Sequence, residues 1–181
     1  GLYGEVTEEN AAETTYSLMA LKEMGKKEEL SDPEDPESEK IVTHEPMDFI
    51  VSTWGGSAVD MFSIYDIMRM VRADCDINTL GLGKVMSAGV LLLAAGTKGQ
   101  RKIGKNCRVM LHGVTSGQHG NISDLENEMA EAKWIQDRLI SCLMEETKMT
   151  KRYIKKLLAK RMNVYFTAEE AVELGIADEI V

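Results

Sequence analysis

Cysteine, proline, histidine and aromatic residues are all scarce in this chain, and long apolar runs are missing. There are three cysteines, three prolines and three histidines among 181 residues, and 6% are aromatic. Cys75, Cys107 and Cys142 lie far apart with no CxxC pair, which argues against a disulfide framework or a zinc site and for a reducing, cytoplasmic setting. The longest apolar runs, such as Val90 to Ala95, fall far short of the ~20 residues of a membrane helix. No basic and apolar leader is read at the start, so the expectation is a soluble, unexported protein with no membrane partner. Positive charge is also in deficit: 21 Lys and Arg against 30 Asp and Glu give a net charge of −9. That balance argues against a general binder of nucleic acid, which needs a basic face.

What is present is the composition of one globular domain, with 44% apolar residues. Residues 22 to 48 hold ten acids, four lysines and all three prolines, and read as a solvated loop, an acidic insertion at about 25–47. From Lys148 to Arg161 there are seven basic residues and no acid. Their alternation with Tyr153, Ile154, Leu157 and Leu158 reads as the polar side of an amphipathic helix, with a docking surface for an acidic partner as the alternative.

Thr7 to Met24 reads as a helix burying Leu18, Met19 and Leu21 and stopped by Gly25. A buried strand runs from Phe49 to Thr53 and breaks at Gly55-Gly56. A helix opens at Ser57, with Asp60 three residues on. A second strand, Ile77 to Leu82, leads to the apolar helix after Ser87. A third, Arg108 to Leu111, ends at His112 and enters the glycine-rich stretch Gly113 to Gly120. Ser123 and Glu126 suggest a capping box for a long helix to Glu146, with helical residues to about Lys160 and a loop from Arg161 to Phe166. Thr167 and Glu170 cap a last short helix that ends at Gly175. Strands alternating with helices predict an α/β fold of βαβ units.

The segment GKVMSAGVLLLAAG sets Ser87 between a strand and a helix. The helix start offers free N–H groups, and in acyl transfer the N–H of Ala88 would face the developing oxyanion. The Gly55-Gly56 turn is a source for the second donor. A hydroxyl nucleophile needs a base, and of the three histidines only His112 sits at the end of a buried strand; His44 and His119 lie in loops. In a parallel sheet the carboxyl ends of strands share one edge, which gathers Ser87, His112 and the glycine pair.

Three segments in order carry a resemblance: STWGGSAVDMFSIYDIMRMVRADC, GKVMSAGVLLLAAGTKGQRKIGKNCRVMLHG and YFTAEEAVELGIADEIV. They resemble the proteolytic subunit of the Clp protease, the ClpP family, from about Gly4 to Val181, interrupted by the acidic segment. The resemblance implies a crotonase-like spiral of βαβ units with a protruding handle helix, here the helix from Ser123. It implies a serine endopeptidase that needs no metal or other cofactor. Heptameric rings stacked as a tetradecamer would form the chamber, fed with polypeptides by an AAA+ unfoldase, with a second ClpP-like subunit as a further partner. Ser87 takes the nucleophile position, His112 the general base, and the N–H groups of Gly55 and Ala88 the oxyanion hole. Gly56 and Thr115 are candidates for backbone contacts to the peptide, which would lie as an added strand along the glycine-rich stretch.

The third triad position, normally aspartate, falls on Asn163, an amide that can orient the imidazole but cannot stabilise its charge. Glu169 and Glu170 read instead as first-turn helix residues. Trp54 stands where the family has proline beside the glycine pair, so the resemblance implies a turn held by packing of the indole. Lys84, three residues before Ser87, raises a Ser-Lys dyad, although the bend sends it to the rim. The chain begins where the family is already in its first βα unit, so the family's axial N-terminal segment is not among these residues. The alternative function is a weakly active or inactive ring subunit with a structural or regulatory role. A processing protease with few targets and an acyl-CoA hydratase or isomerase on the same fold complete the readings.

Overall fold

The computed structural model describes every residue except Gln118, Lys160 and Arg161. Chain order is β1 (Leu2–Val6), α1 (Glu8–Met24), β2 (Lys26–Leu30), β3 (Lys40–His44), β4 (Met47–Gly56), α2 (Ala58–Arg72), β5 (Ile77–Met86) and α3 (Ala88–Ala94). There follow β6 (Lys102–Ile103), β7 (Arg108–Leu111), α4 (Ile122–Glu146), α5 (Lys151–Leu158), β8 (Val164–Phe166), α6 (Ala168–Glu173) and β9 (Glu179–Ile180). The sheet is parallel throughout except where β8 runs antiparallel to β7.

Strand β5 organises it. One side pairs with β4 along its length; the other pairs first with β6, at Leu80 and Gly81, and then with β7, from Lys84 to Met86. Between those two halves Gly83 takes φ +66°, a conformation that costs glycine little. The sheet therefore splits into two wings, β6-β9 and β7-β8, and the second carries the site.

Helix α3 packs chiefly on β4 and β5. All seven of its residues are buried, as an apolar run with no polar face requires. Its last turn is held by Arg72, whose guanidinium donates to the carbonyls of Ala95 and Gly96 at 2.7 and 2.9 Å and meets the buried Glu146 carboxylate at 2.9 and 3.0 Å. Tyr65 also donates to Glu146, at 3.0 Å. A buried charge is tolerated here because every carboxylate oxygen has a donor.

Several expectations change. The acidic segment is no simple loop: β2 and β3 pair as an antiparallel hairpin with Lys26 opposite His44, tipped by residues 31–39. In α1 only Leu18 of the three expected core residues is buried; Met19 and Leu21 are 50% and 46% exposed. Helix α4 is capped by the Asn121 side chain, which accepts from Asp124 N–H, so Ser123 lies within the first turn and caps nothing. Thr147 to Thr150 interrupt the long helical stretch, and α5 then buries Ile154, Leu157 and Leu158 as its spacing predicts. The expected helix end at Lys160 and loop start at Arg161 lie outside the described residues. Part of that loop is strand β8. Among the described residues no helix is long and apolar enough to cross a membrane.

Candidate active site

Ser87 joins β5 to α3 with φ +53° and ψ −115°, the only non-glycine residue at positive φ among the described residues. Such a backbone costs about 1–3 kcal/mol, so its surroundings must hold it. Its own N–H donates to the carbonyl of Met110 at 2.7 Å, extending the pairing of Met86 with Met110 past the end of β5. That bond sets the register of the two strand ends, and two residues after Met110 the ring of His112 arrives with Nε2 2.9 Å from Ser87 Oγ.

The glycine pair closes the third side. Gly55 has φ +94°, and a Cβ there would lie 2.5 Å from Ser87 Cβ. Gly56 has φ +150°, and a Cβ would lie 2.2 Å from the Val6 carbonyl oxygen. Neither position has room for a side chain. Their roles differ, however. Gly55 is buried and its N–H donates to Thr53 Oγ1 at 3.0 Å, so the donor expected of it is occupied; Gly56, exposed, lines the cavity beside Ser87. Trp54 does not hold the turn either: its indole is 59% exposed and stacks under Lys84, whose Nζ is 5.0 Å from the ring centroid. Lys84 is thereby placed with Trp54 rather than with Ser87.

The cavity beside Ser87 has a volume of about 190 Å³, with Gly56, Ala88 and Thr115 on its rim and Met61, Ile135 and Leu139 as apolar walls. These three walls carry no local sequence signal beyond helical spacing, which cannot tell a cavity wall from ordinary core. A second cavity of about 550 Å³ lies beyond His112 and is lined by Thr115, Gln136, Met162 and Asn163. Asn163 is exposed, and no hydrogen bond joins it to His112 among the described residues. Glu169 and Glu170 sit in the first turn of α6, where Thr167 and Glu170 form a reciprocal capping box. The described part of 113–120 forms no strand within the chain.

Among the described residues no cluster of His, Cys, Asp or Glu could hold a metal ion. The cysteines are buried thiols, and burial pushes Cys107 up to about 11, away from the thiolate range. The chemistry on offer is that of an alcohol beside an imidazole, facing a small apolar cavity at a tight turn.

A family model described as Clp protease matches residues 38–181. The chain is 37% identical over 131 residues to ATP-dependent Clp protease proteolytic subunit 1 of Corynebacterium glutamicum, covering 72% of this chain and 61% of that one. It is 36% identical over 131 residues to proteolytic subunit 4 of Rhodococcus jostii, covering 72% and 66%. With the proteolytic subunit of Deinococcus radiodurans it shares 32% over 153 residues, covering 84% and 69%. The chain thus spans less than two thirds of the length of the first two of these relatives. With the matched segment containing Ser87, His112 and the glycine pair, and with the mostly parallel α/β sheet around them, the chain belongs to the Clp protease family and has its crotonase-like fold.

Proposed function

We propose that the chain is a serine endopeptidase subunit that hydrolyses peptide bonds through an acyl-enzyme on Ser87. The observation that carries this is the 2.9 Å approach of His112 Nε2 to the hydroxyl of a serine held at positive φ beside an open cavity. In this reading the Ser87 oxygen attacks the scissile carbonyl while Nε2 takes its proton, then returns it to the departing amine; water repeats the sequence to release the acid. The oxyanion is received by the N–H groups of Ala88 and Gly56. Gly56 takes the place first expected of Gly55 because it lines the cavity while the N–H of Gly55 serves Thr53. Thr115 offers backbone to an extended peptide, and Asn163 stands as an amide in the third triad position.

The names of the relatives support assembly with an ATP-driven partner. The reading is a heptameric ring, stacked as a tetradecamer, working in the cytoplasm with an AAA+ unfoldase and in some assemblies with a second ClpP-like subunit. The outer half of α4 leaves Ile122, Leu125 and Met129, at i, i+3 and i+7, exposed at 77%, 38% and 57%, an apolar ridge suited to burial between rings. A second reading, a weakly active or inactive structural subunit, is favoured by one observation: no carboxylate bonds to His112 among the described residues.

A fluorophosphonate probe separates the two. Covalent labelling of the assembled wild type, absent in Ser87→Ala and reduced in His112→Ala, is the expected result; an unlabelled wild-type ring supports the second reading.

A further inference from the structure

The side chain of Thr53 touches both turns from which the oxyanion would be held. Thr53 is 0% exposed, at the point where β4 leaves its regular register with β5. Its hydroxyl has one proton and gives it to the Gly4 carbonyl of β1 at 2.6 Å; its lone pair accepts from the Gly55 N–H at 3.0 Å. The Gly4 carbonyl lies at the irregularity in β1, where the pairing with β4 skips a residue. On its other side the Thr53 methyl fills the space above Gly89: a Cβ on Gly89 would lie 2.5 Å from Thr53 Cγ2. Gly89 follows Ala88 in the first turn of α3.

We propose that Thr53 is a positioning residue that sets the spacing and aim of the oxyanion cradle, a role that rests on the peptidase reading above. By engaging the Gly55 N–H inside the protein, its hydroxyl fixes the orientation of the next peptide and leaves Gly56 as the donor that faces the cavity. By packing on Gly89, its methyl fixes the distance from that turn to Ala88. The back of Gly55 lies against Ser87, so a shift in the turn reaches the nucleophile as well. Displacement of a preorganised donor by a fraction of an ångström lowers turnover without weakening ground-state binding to the same degree.

The test compares wild type with Thr53→Val, which keeps the shape and removes the hydroxyl, and Thr53→Ser, which keeps the hydroxyl. Each is assayed as the assembled protein for kcat and KM on a fluorogenic peptide and for affinity toward a peptide boronate, whose tetrahedral adduct on a serine presents an anionic oxygen. Thr53→Val is expected to lower kcat by about 10–100-fold, with KM changed less than about threefold and boronate affinity falling in step with kcat. Thr53→Ser, which restores the hydroxyl but not the methyl on Gly89, recovers part of the kcat lost in Thr53→Val, and the remaining shortfall measures the methyl's share. Where Thr53→Val fails to assemble, Thr53→Ala carries the same expectation. Unchanged kcat, a loss in KM alone, or boronate affinity that stays level while kcat falls overturns the role of Thr53. A wild type that neither labels with fluorophosphonate nor hydrolyses peptide overturns the peptidase reading, and this inference with it.

Discussion

At Ser87 and His112 the structure joins two side chains twenty-five positions apart through one backbone bond, from Ser87 N–H to the Met110 carbonyl. In the proposed reading of Asn163 as the third triad residue the imidazole has no charged partner, and in a triad of another fold that exchange costs roughly 10⁴ in turnover. Asn163→Asp is therefore expected to raise peptide hydrolysis near neutral pH by at least about tenfold; an unchanged or lower rate in an intact assembly would remove Asn163 from the triad position. The glycine pair gives the opposite sign. Gly55→Ala forces a Cβ to 2.5 Å from Ser87 Cβ, and is expected to cost about 2 kcal/mol or more in stability with activity reduced below detection in a peptide assay. These residues differ in how readable they are. Ser87 and His112 stand at strand ends, where sequence pattern and parallel topology together locate them. Thr53 does not: a hydroxyl inside an apolar strand has no local signature, and which glycine N–H it captures is a fact of three dimensions.

Among the elements, α2 and α6 begin where their caps predict, with Ser57 accepting from Asp60 N–H and Thr167 paired with Glu170. Helix α4 starts earlier than Ser123 because Asn121 satisfies the first free N–H groups, and an asparagine cap is as effective as serine. Strands β1, β8 and β9 carry no sequence signal of their own, for a shared reason: each is short and pairs at an edge, so neighbours rather than intrinsic pattern make it a strand. Elements are also tied by buried charge. Glu146, 1% exposed at the end of α4, is bonded by Arg72 and Tyr65 of α2; Glu146→Ala should destabilise by about 3–5 kcal/mol by leaving Arg72 without its partner, measured by denaturant titration. Arg101 holds the Asp178 carboxyl below its ordinary range by hydrogen bonding, near the entry to β9. The stabilisation from that lowered value is complete above the unfolded carboxylate pKa of about 3.9 and fades as pH falls through the folded one. The gap in melting temperature between wild type and Asp178→Asn is accordingly expected at pH 7 and should close in strongly acidic buffer.

For the molecule as a whole, one connected core runs from Leu2 to Ala177, and the β2-β3 hairpin stands outside it with every residue of both strands exposed or half-exposed. The acidic composition correctly marks this segment as solvated; it misses the hairpin because its strands, KKEEL and KIVTH, have no apolar–polar alternation to stand out from the surrounding charge. Glu45 N–H donates to the Gly25 carbonyl at 2.9 Å, so the two ends of the excursion are already joined. Replacing residues 26–44 by two glycines should leave the melting temperature within a few degrees and the fluorophosphonate labelling of Ser87 intact; collapse of either would show that the hairpin supports the core. Because β4 and β5 run parallel from this end toward Ser87, the joined stem is a natural splice point. A fluorophore or affinity sequence grafted there would report on assembly from the edge of the sheet remote from bond cleavage, leaving the reacting groups untouched.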